Sequence, residues 1–377
     1  MMCIVSSCRA RIAIGVATIL SLLVALANLE ANDRARYVVR NDSGEFEERD
    51  LEGELVDMTA DELTFNVDRN KYPDAPEDGV IPAERALWIM LDGAPINLDA
   101  ARVEIEIGAY EDALQRLNAL KESEIDPDRK PRVAQEVEWY KAYATLQLAL
   151  ADAQEINVGG KATAEFIKEH SDHYRYYAAI AMLGDAYLHM AQSGQGDRAA
   201  NLKRAASSYG KLTNAKSTIT SARGKLGQAR VALEANELAD AEPLFKELAE
   251  NEALSEELNG LEVVVQAKLG LARIYTLGGR FAEARALLDA TLAATPNSAT
   301  LQQAQVYNAI GDARVAEDCP EEAIIAYLHV DLLYPSARRE RVKALKALVA
   351  LWRQVGRDDR ATETVERLKT RFQVDVE

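Results

Sequence analysis

A hairpin spelling that recurs along the chain constrains the fold more than any other feature. From Gly270 to Pro296 the sequence reads GLARIYTLGGRFAEARALLDATLAATP. Ala272 and Tyr275, three residues apart, share one face of a first helix. Gly279 breaks that helix, Phe281 restarts the apolar face, Ala284 and Leu288 continue it, and Pro296 ends the unit. Small Ala272 and Ala284 let the two helices cross closely, while Tyr275, Phe281 and Leu288 fill the space around the crossing. One such hairpin cannot bury its own apolar faces, so it must stack on copies of itself.

The copies are present. Residues 304–335 repeat the scheme with Tyr307, Ile310, Gly311, Ala323, Tyr327 and Pro335. Both units resemble the tetratricopeptide repeat family, whose pattern runs aromatic, leucine-glycine, tyrosine, then alanine, aromatic and proline. Ala229, Asn236, Leu238, Ala241, Phe245 and Leu248 fit the same frame, and Trp352, Gly356, Ala361, Val365 and Leu368 fit it less fully. Leu183, Gly184 and Tyr187 supply another first helix, whose partner resumes at Ala205 and Tyr209 after a polar loop. Gly108 to Leu117 marks the first hairpin, and Trp139 to Leu150 with Ala162 and Phe166 marks a loose second. The alanines of the second helices fall at 113, 162, 205, 241, 284, 323 and 361. Their spacings all exceed the family's roughly 34 residues. The resemblance covers residues 94–372 and extends to exported bacterial members of the family. It implies a helical solenoid with a concave surface that takes protein or peptide partners.

The expected layout is a signal peptide over 1–27, a small β module over 33–92, and a solenoid of about seven hairpins over 94–377. Arg9 and Arg11 precede the charge-free run Ile12 to Ala27, which closes on Ala25-Leu26-Ala27 as a signal peptidase requires. A charge-free run of sixteen residues falls short of the roughly 20 that span a bilayer, so no stable membrane span is expected. Cleavage would leave 42 basic against 61 acidic residues, a net of −19. It would also leave Cys319 as the single cysteine, so no internal disulfide could form.

Within 33–92 the period is that of strands. Tyr37 to Arg40, Leu51 to Val56 around Gly53, Glu62 to Val67, Val80-Ile81 and Leu87 to Leu91 read as five short strands. Five strands in so few residues predict a small closed barrel, and their order resembles Sm-like barrels. Residues 41–79 carry fourteen acids against three bases, which would repel RNA. The whole chain, at −17, lacks the basic face that phosphate binding needs. A docking or spacer role is the expectation for the module, and nucleic acid is not an expected partner.

No motif marks catalysis, a cofactor or a metal. His170 and His173, beside Glu169 and Asp172, lack the four-residue helical spacing of paired ligands and read as structural. Tyr174, Tyr176, Tyr177 and Tyr187 read as packing between hairpins, and the pairs Gly159-Gly160 and Gly278-Gly279 as helix breaks. The stretch SGQGDR lacks the lysine and the preceding strand of a phosphate loop. Cys319 before Pro320 has no visible base and reads as inert.

The concave groove remains. First helices face it, and Arg230, Gln266, Arg273, Asn308, Asp312, Lys343 and Lys346 are the candidate partner-binding residues, with Thr276, Gln305 and Arg353 beside them. The sharp expectation is that Arg230, Arg273, Lys343 and Lys346 hold an acidic or carboxylate-ended peptide through charge-assisted hydrogen bonds. The bland one is that they pair with neighbouring acids on solvated faces. The leading functional expectation is a non-enzymatic scaffold or adaptor for proteins of the cell envelope. A self-associating structural protein and an enzyme with its site in the β module are the alternatives.

Overall fold

The computed structural model describes residues 33–372 and 374, apart from 42, 122, 124, 126 and 152–155. The segment 1–27, expected to be a signal peptide, lies outside the described residues. The chain begins with five strands, β1 (Asp33–Arg40), β2 (Phe46–Met58), β3 (Glu62–Asn66), β4 (Val80–Pro82) and β5 (Ala86–Met90). They form one antiparallel sheet in the order β4-β3-β2-β1-β5. The first half of β2 pairs with β1 and the second half with β3, so the strand must bend between them. Gly53 sits at that bend, where a Cβ would meet the Asn66 carbonyl at 2.4 Å.

The expected closed barrel is not formed. No ladder joins β4 to β5, which remain the two edges among the described residues. The physical reason lies in what covers the sheet. β4 has three residues and passes through the 3₁₀ turn Ala83–Arg85 straight into β5, leaving little strand to pair. Meanwhile Tyr37, Leu51, Leu55, Leu63, Phe65, Ile81 and Ile89 bury their side chains in one core with Leu98, Ala101, Leu117, Val133, Trp139 and Tyr140 of the first helices. Helices bury the face that closure would otherwise have to bury.

Fifteen helices follow among the described residues. The first four are α1 (Ile96–Glu106), α2 (Tyr110–Ala119), α3 (Lys130–Ala151) and α4 (Ile156–Glu169). Next come α5 (Tyr176–Gln192), α6 (Arg198–Leu212), α7 (Thr218–Glu234) and α8 (Leu238–Ala249). A one-turn α9 (Glu252–Ser255) precedes α10 (Gly260–Leu277), α11 (Phe281–Ala294), α12 (Thr300–Ala316) and α13 (Pro320–Leu333). The last pair is α14 (Arg338–Gln354) and α15 (Asp358–Arg367), and a π-helical turn, Leu368–Phe372, runs on from α15. Apart from α9, consecutive helices pack in pairs, and each pair packs on the next. The fold is mainly α, a stack of helical hairpins preceded by an open five-stranded sheet.

Five of the hairpin turns share a backbone device. Gly108, Asn236, Gly279, Asp318 and Gly356 all take left-handed φ, between 59° and 79°, between paired helices. Each lies five residues before one of the buried alanines Ala113, Ala241, Ala284, Ala323 and Ala361. The left-handed residue reverses the chain, and the fixed offset then delivers the alanine to the helix crossing.

Two expectations fail in the second hairpin. Ala162 is only partly buried, and Thr163 at 0% exposure takes the inward position. Gly159 and Gly160 do not break a helix but lie buried inside α4. A Cβ on Gly159 would come within 2.6 Å of the Leu146 Cα, so the glycine is what lets α3 and α4 touch. The small residue of this crossing is Gly159 rather than Ala162.

Candidate interaction groove

The first helices α3, α5, α7, α10, α12 and α14 together wall a concave groove of about 1140 Å³. Its floor includes Tyr209, Phe245 and Leu288 from second helices. Those rings reach the groove because the first helices carry glycine opposite them. A Cβ on Gly184 would meet Tyr209 at 2.8 Å, and one on Gly227 would meet the same ring at 2.1 Å. Gly270 and Gly311 stand likewise against Phe245 and Tyr327. Tyr209 is therefore clamped between its own hairpin and the next.

The tyrosine hydroxyls orient carboxylates on the groove wall. Tyr209 donates to Asp185 at 2.7 Å, and Arg230 of the next first helix donates to the same oxygen at 2.9 Å. Tyr327 donates to Asp312 at 2.6 Å, and Lys343 of the next first helix donates to its other oxygen at 2.7 Å. The same tyrosine, aspartate and cation thus join hairpins three to four and six to seven. Burial, with the adjacent carboxylate, pushes both phenols far above their ordinary range, so both stay protonated as donors. Between these two clasps the wall is stitched by Arg223 to Glu262 at 3.7 Å and by Gln266 to Gln305 at 2.7 Å.

The candidate residues divide on this geometry. Arg230, Gln266, Arg273, Asp312 and Lys343 line the groove, and Thr276 and Gln305 join them. Arg230, Gln266, Asp312 and Lys343 already hold protein partners, as the bland expectation had it for the two cations. Arg273 is exposed and makes no ion pair among the described residues. Asn308 corrects its assignment. At 1% exposure it is sealed between α12 and α14, donating to the Glu340 carboxylate at 2.7 Å and to its carbonyl at 3.1 Å. Helical periodicity put it one position too far toward the groove. Lys346 and Arg353 are exposed but do not line the groove.

Several lining residues escaped the sequence, and two of them stand far apart in it. His189 of α5 and Arg339 at the start of α14 lie in the same cavity although 150 positions apart. The solenoid curls far enough for the Arg339 charge to reach the imidazole. Burial first, and then that charge, lower the His189 pKa from its ordinary value. Like Arg273, Arg339 is exposed and has no ion pair among the described residues. Only the superhelical path brings these two together, and no local pattern encodes it.

The histidines of the fourth helix end separate. His173 is fully buried, with Nε2 at 2.9 Å from Glu136. His170 faces Glu138 at 2.6 Å. The donor atoms of Glu138, Glu169 and His170 lie within 4.8 Å of one another, the one metal-like grouping among the described residues. Glu138 comes from α3, which is why spacing within the histidine segment could not show it. Cys319 caps α13, with Sγ 3.7 Å from the Glu317 carbonyl. No helix among the described residues is long and apolar enough to cross a membrane.

No protein-family model matches the sequence, and a search of curated proteins returns no relative. Among solved structures, the chain is similar to a tetratricopeptide repeat protein from Parabacteroides merdae ATCC 43184, with a TM-score of 0.45 at 14% identity over 74% of this chain and 88% of that one. BtubC (BKLC) from P. vanneervenii gives a TM-score of 0.37, also at 14% identity, over 63% and 90%. Both likenesses are distant, and the hairpin stack stands on the helix pairing described above.

Proposed function

We propose that the protein is a non-enzymatic interaction scaffold outside the cytoplasm, whose concave groove holds a negatively charged segment of another protein of the cell envelope. The observation that carries this reading is the charge of the groove wall. Arg223, Arg230, Arg273, Arg339 and Lys343 line it against Asp185, Glu262, Asp312 and Glu340, whereas the whole chain has 44 bases against 61 acids. The wall is thus slightly cationic in a protein that is acidic overall. Among the described residues, Arg273 and Arg339 are the two groove cations without a carboxylate partner, so they can engage a partner without breaking a contact. The placement outside the cytoplasm is supported by the charge-free run Ile12 to Ala27 behind Arg9 and Arg11.

The test is a peptide array of acidic and matched neutral segments, read against the purified chain and a Arg273→Glu/Arg339→Glu double variant. Acidic peptides are expected to bind the native chain, and the double variant to lose at least about tenfold with its helical spectrum unchanged, the 1.4 kcal/mol of one charge-assisted hydrogen bond. Equal binding by both proteins would overturn the groove as the site. An intact-mass measurement on material from the native host tests the placement, since export predicts a chain starting after residue 27.

A second reading, self-association, is favoured by α13. Ile325 and Leu332, seven residues apart on one helical face, are 57% and 69% exposed. A mass that rises with concentration in sedimentation would move the weight to that reading.

A further inference from the structure

Where the sheet meets the solenoid, α1, α3 and the corner between α4 and α5 enclose a polar nest. Arg102 lies over the Trp88 ring at 4.0 Å, and Arg175 over the rings of Tyr174 and Trp139 at 4.8 and 5.6 Å. Glu136 holds His173, whose Nδ1 accepts the Arg175 backbone N–H at 3.1 Å. Nε2 is then the protonated nitrogen, and it donates to one Glu136 oxygen. Arg175 also donates to the Leu87 carbonyl of β5, which ties the nest to the sheet.

Arg102 also pairs with Asp99 at 3.8 Å, and the Tyr174 hydroxyl lies beside the Arg175 guanidinium, but these contacts leave much of the nest open. Nine buried side-chain N or O atoms have no hydrogen-bond partner among the described residues, and six of them are here: Arg102 Nε and Nη1, Glu136 Oε2, Tyr140 Oη, Tyr174 Oη and Arg175 Nε. Arg102, Glu136, Tyr140 and Tyr174 are all more than nine-tenths buried. The charges of Glu136, Arg102 and Arg175 act on both tyrosine hydroxyls, so the open atoms share one neighbourhood. Leaving six such groups dry would cost an amount comparable to the whole net stability of a folded domain.

The chemistry of the open atoms selects the occupant. Three guanidinium nitrogens can only donate, the Glu136 oxygen can only accept, and the two hydroxyls can do either. An anion would satisfy the arginines but face the Glu136 carboxylate. A cation would satisfy Glu136 but face two guanidinium groups. A neutral ligand that both donates and accepts meets every requirement, and water is the smallest that does. We propose that Arg102, Glu136, Tyr140, Tyr174 and Arg175 enclose a binding site for internal water molecules at the joint between sheet and solenoid.

The experiment uses the full chain and the variants Tyr140→Phe and Tyr174→Phe, which keep the ring and delete one open atom. If each hydroxyl bonds water, each variant lowers the thermal midpoint by about 2–4 °C. If the hydroxyls are dry, deleting them leaves the midpoint unchanged or raises it, and the proposal fails. Diffraction from crystals grown in bromide separates the remaining cases. Water density within hydrogen-bond distance of at least three of the six atoms, with no anomalous peak, is the expected result. A bromide peak in the nest would make it an anion site, and side chains closed directly on one another would make it a dry network. Either outcome overturns the proposal.

Discussion

At the scale of single residues, glycine carries two separate burdens, and they predict different costs. Gly227 is a contact glycine inside α7, its missing side chain replaced by a tyrosine ring that Gly184 clamps from the other side. Gly279 is a conformational glycine at φ +69° with nothing within 4 Å of a built Cβ. Gly227→Ala is expected to destabilise by about 1–3 kcal/mol through overpacking, even though alanine favours a helix more. Gly279→Ala is expected to cost about 1–2 kcal/mol, all of it backbone strain. Urea unfolding checks both, and a neutral Gly227→Ala would mean that Tyr209 is not held as described. Sequence reading found the turn glycines because the offset from turn to alanine is local. Gly184 and Gly311 were legible because they fill the glycine position of the repeat pattern, whereas Gly227 and Gly270 were not, because the rings they face belong to the preceding hairpin. Sequence reading misplaced Asn308 for the same reason, since Glu340 lies one hairpin further on.

At the scale of elements, the joint between sheet and helices is tied by one carboxylate. Asp33, at 0% exposure, accepts the N–H of Leu55 and of Asp92, each at 2.8 Å, and the Arg129 guanidinium at 3.0 Å. It thereby binds β1 to β2, to the end of β5, and to the start of α3. Arg132 adds a bond to the Val56 carbonyl at 2.8 Å and another to that of Leu55. Asp33→Ala would leave a partly buried guanidinium and two backbone donors without an acceptor, and is expected to cost about 3–5 kcal/mol. Deleting residues 33–92 goes further, because Leu98, Trp139 and Tyr140 share the sheet's core. The truncated chain should lose protection from hydrogen exchange across α1 to α5 while α10 to α15 keep theirs. Uniform protection would show that the hairpins never needed the sheet. The strands and helices were legible one by one, because periods of two and of 3.6 are local. That the sheet stays open and leans on the helices was not, because it depends on which surface covers the inner face.

At the scale of the whole molecule, the curl of the solenoid couples a titrating group to the groove's charge. His189 on α5 and Arg339 on α14, with three whole hairpins between them in the chain, line one cavity only because the stack curls. Burial and the Arg339 charge hold the folded-state pKa of His189 below its unfolded value. A basic group shifted in this direction binds fewer protons when folded, so its folding term is intact above about pH 6.5 and weakens as pH falls below that value. His189→Gln should therefore flatten part of the acid limb of stability against pH. A bound anion reverses the sign locally, since a negative group between His189 and Arg339 favours the protonated ring. Linkage then requires that an acidic peptide bind more tightly as pH drops from about 7.5 to 5.5, with a proton taken up on binding. Calorimetry in two buffers of different ionisation enthalpy measures that proton directly. Proton uptake that disappears in His189→Gln would place the anion in the groove near the imidazole. Affinity flat across the same range in the native chain would mean that the charged segment lies elsewhere.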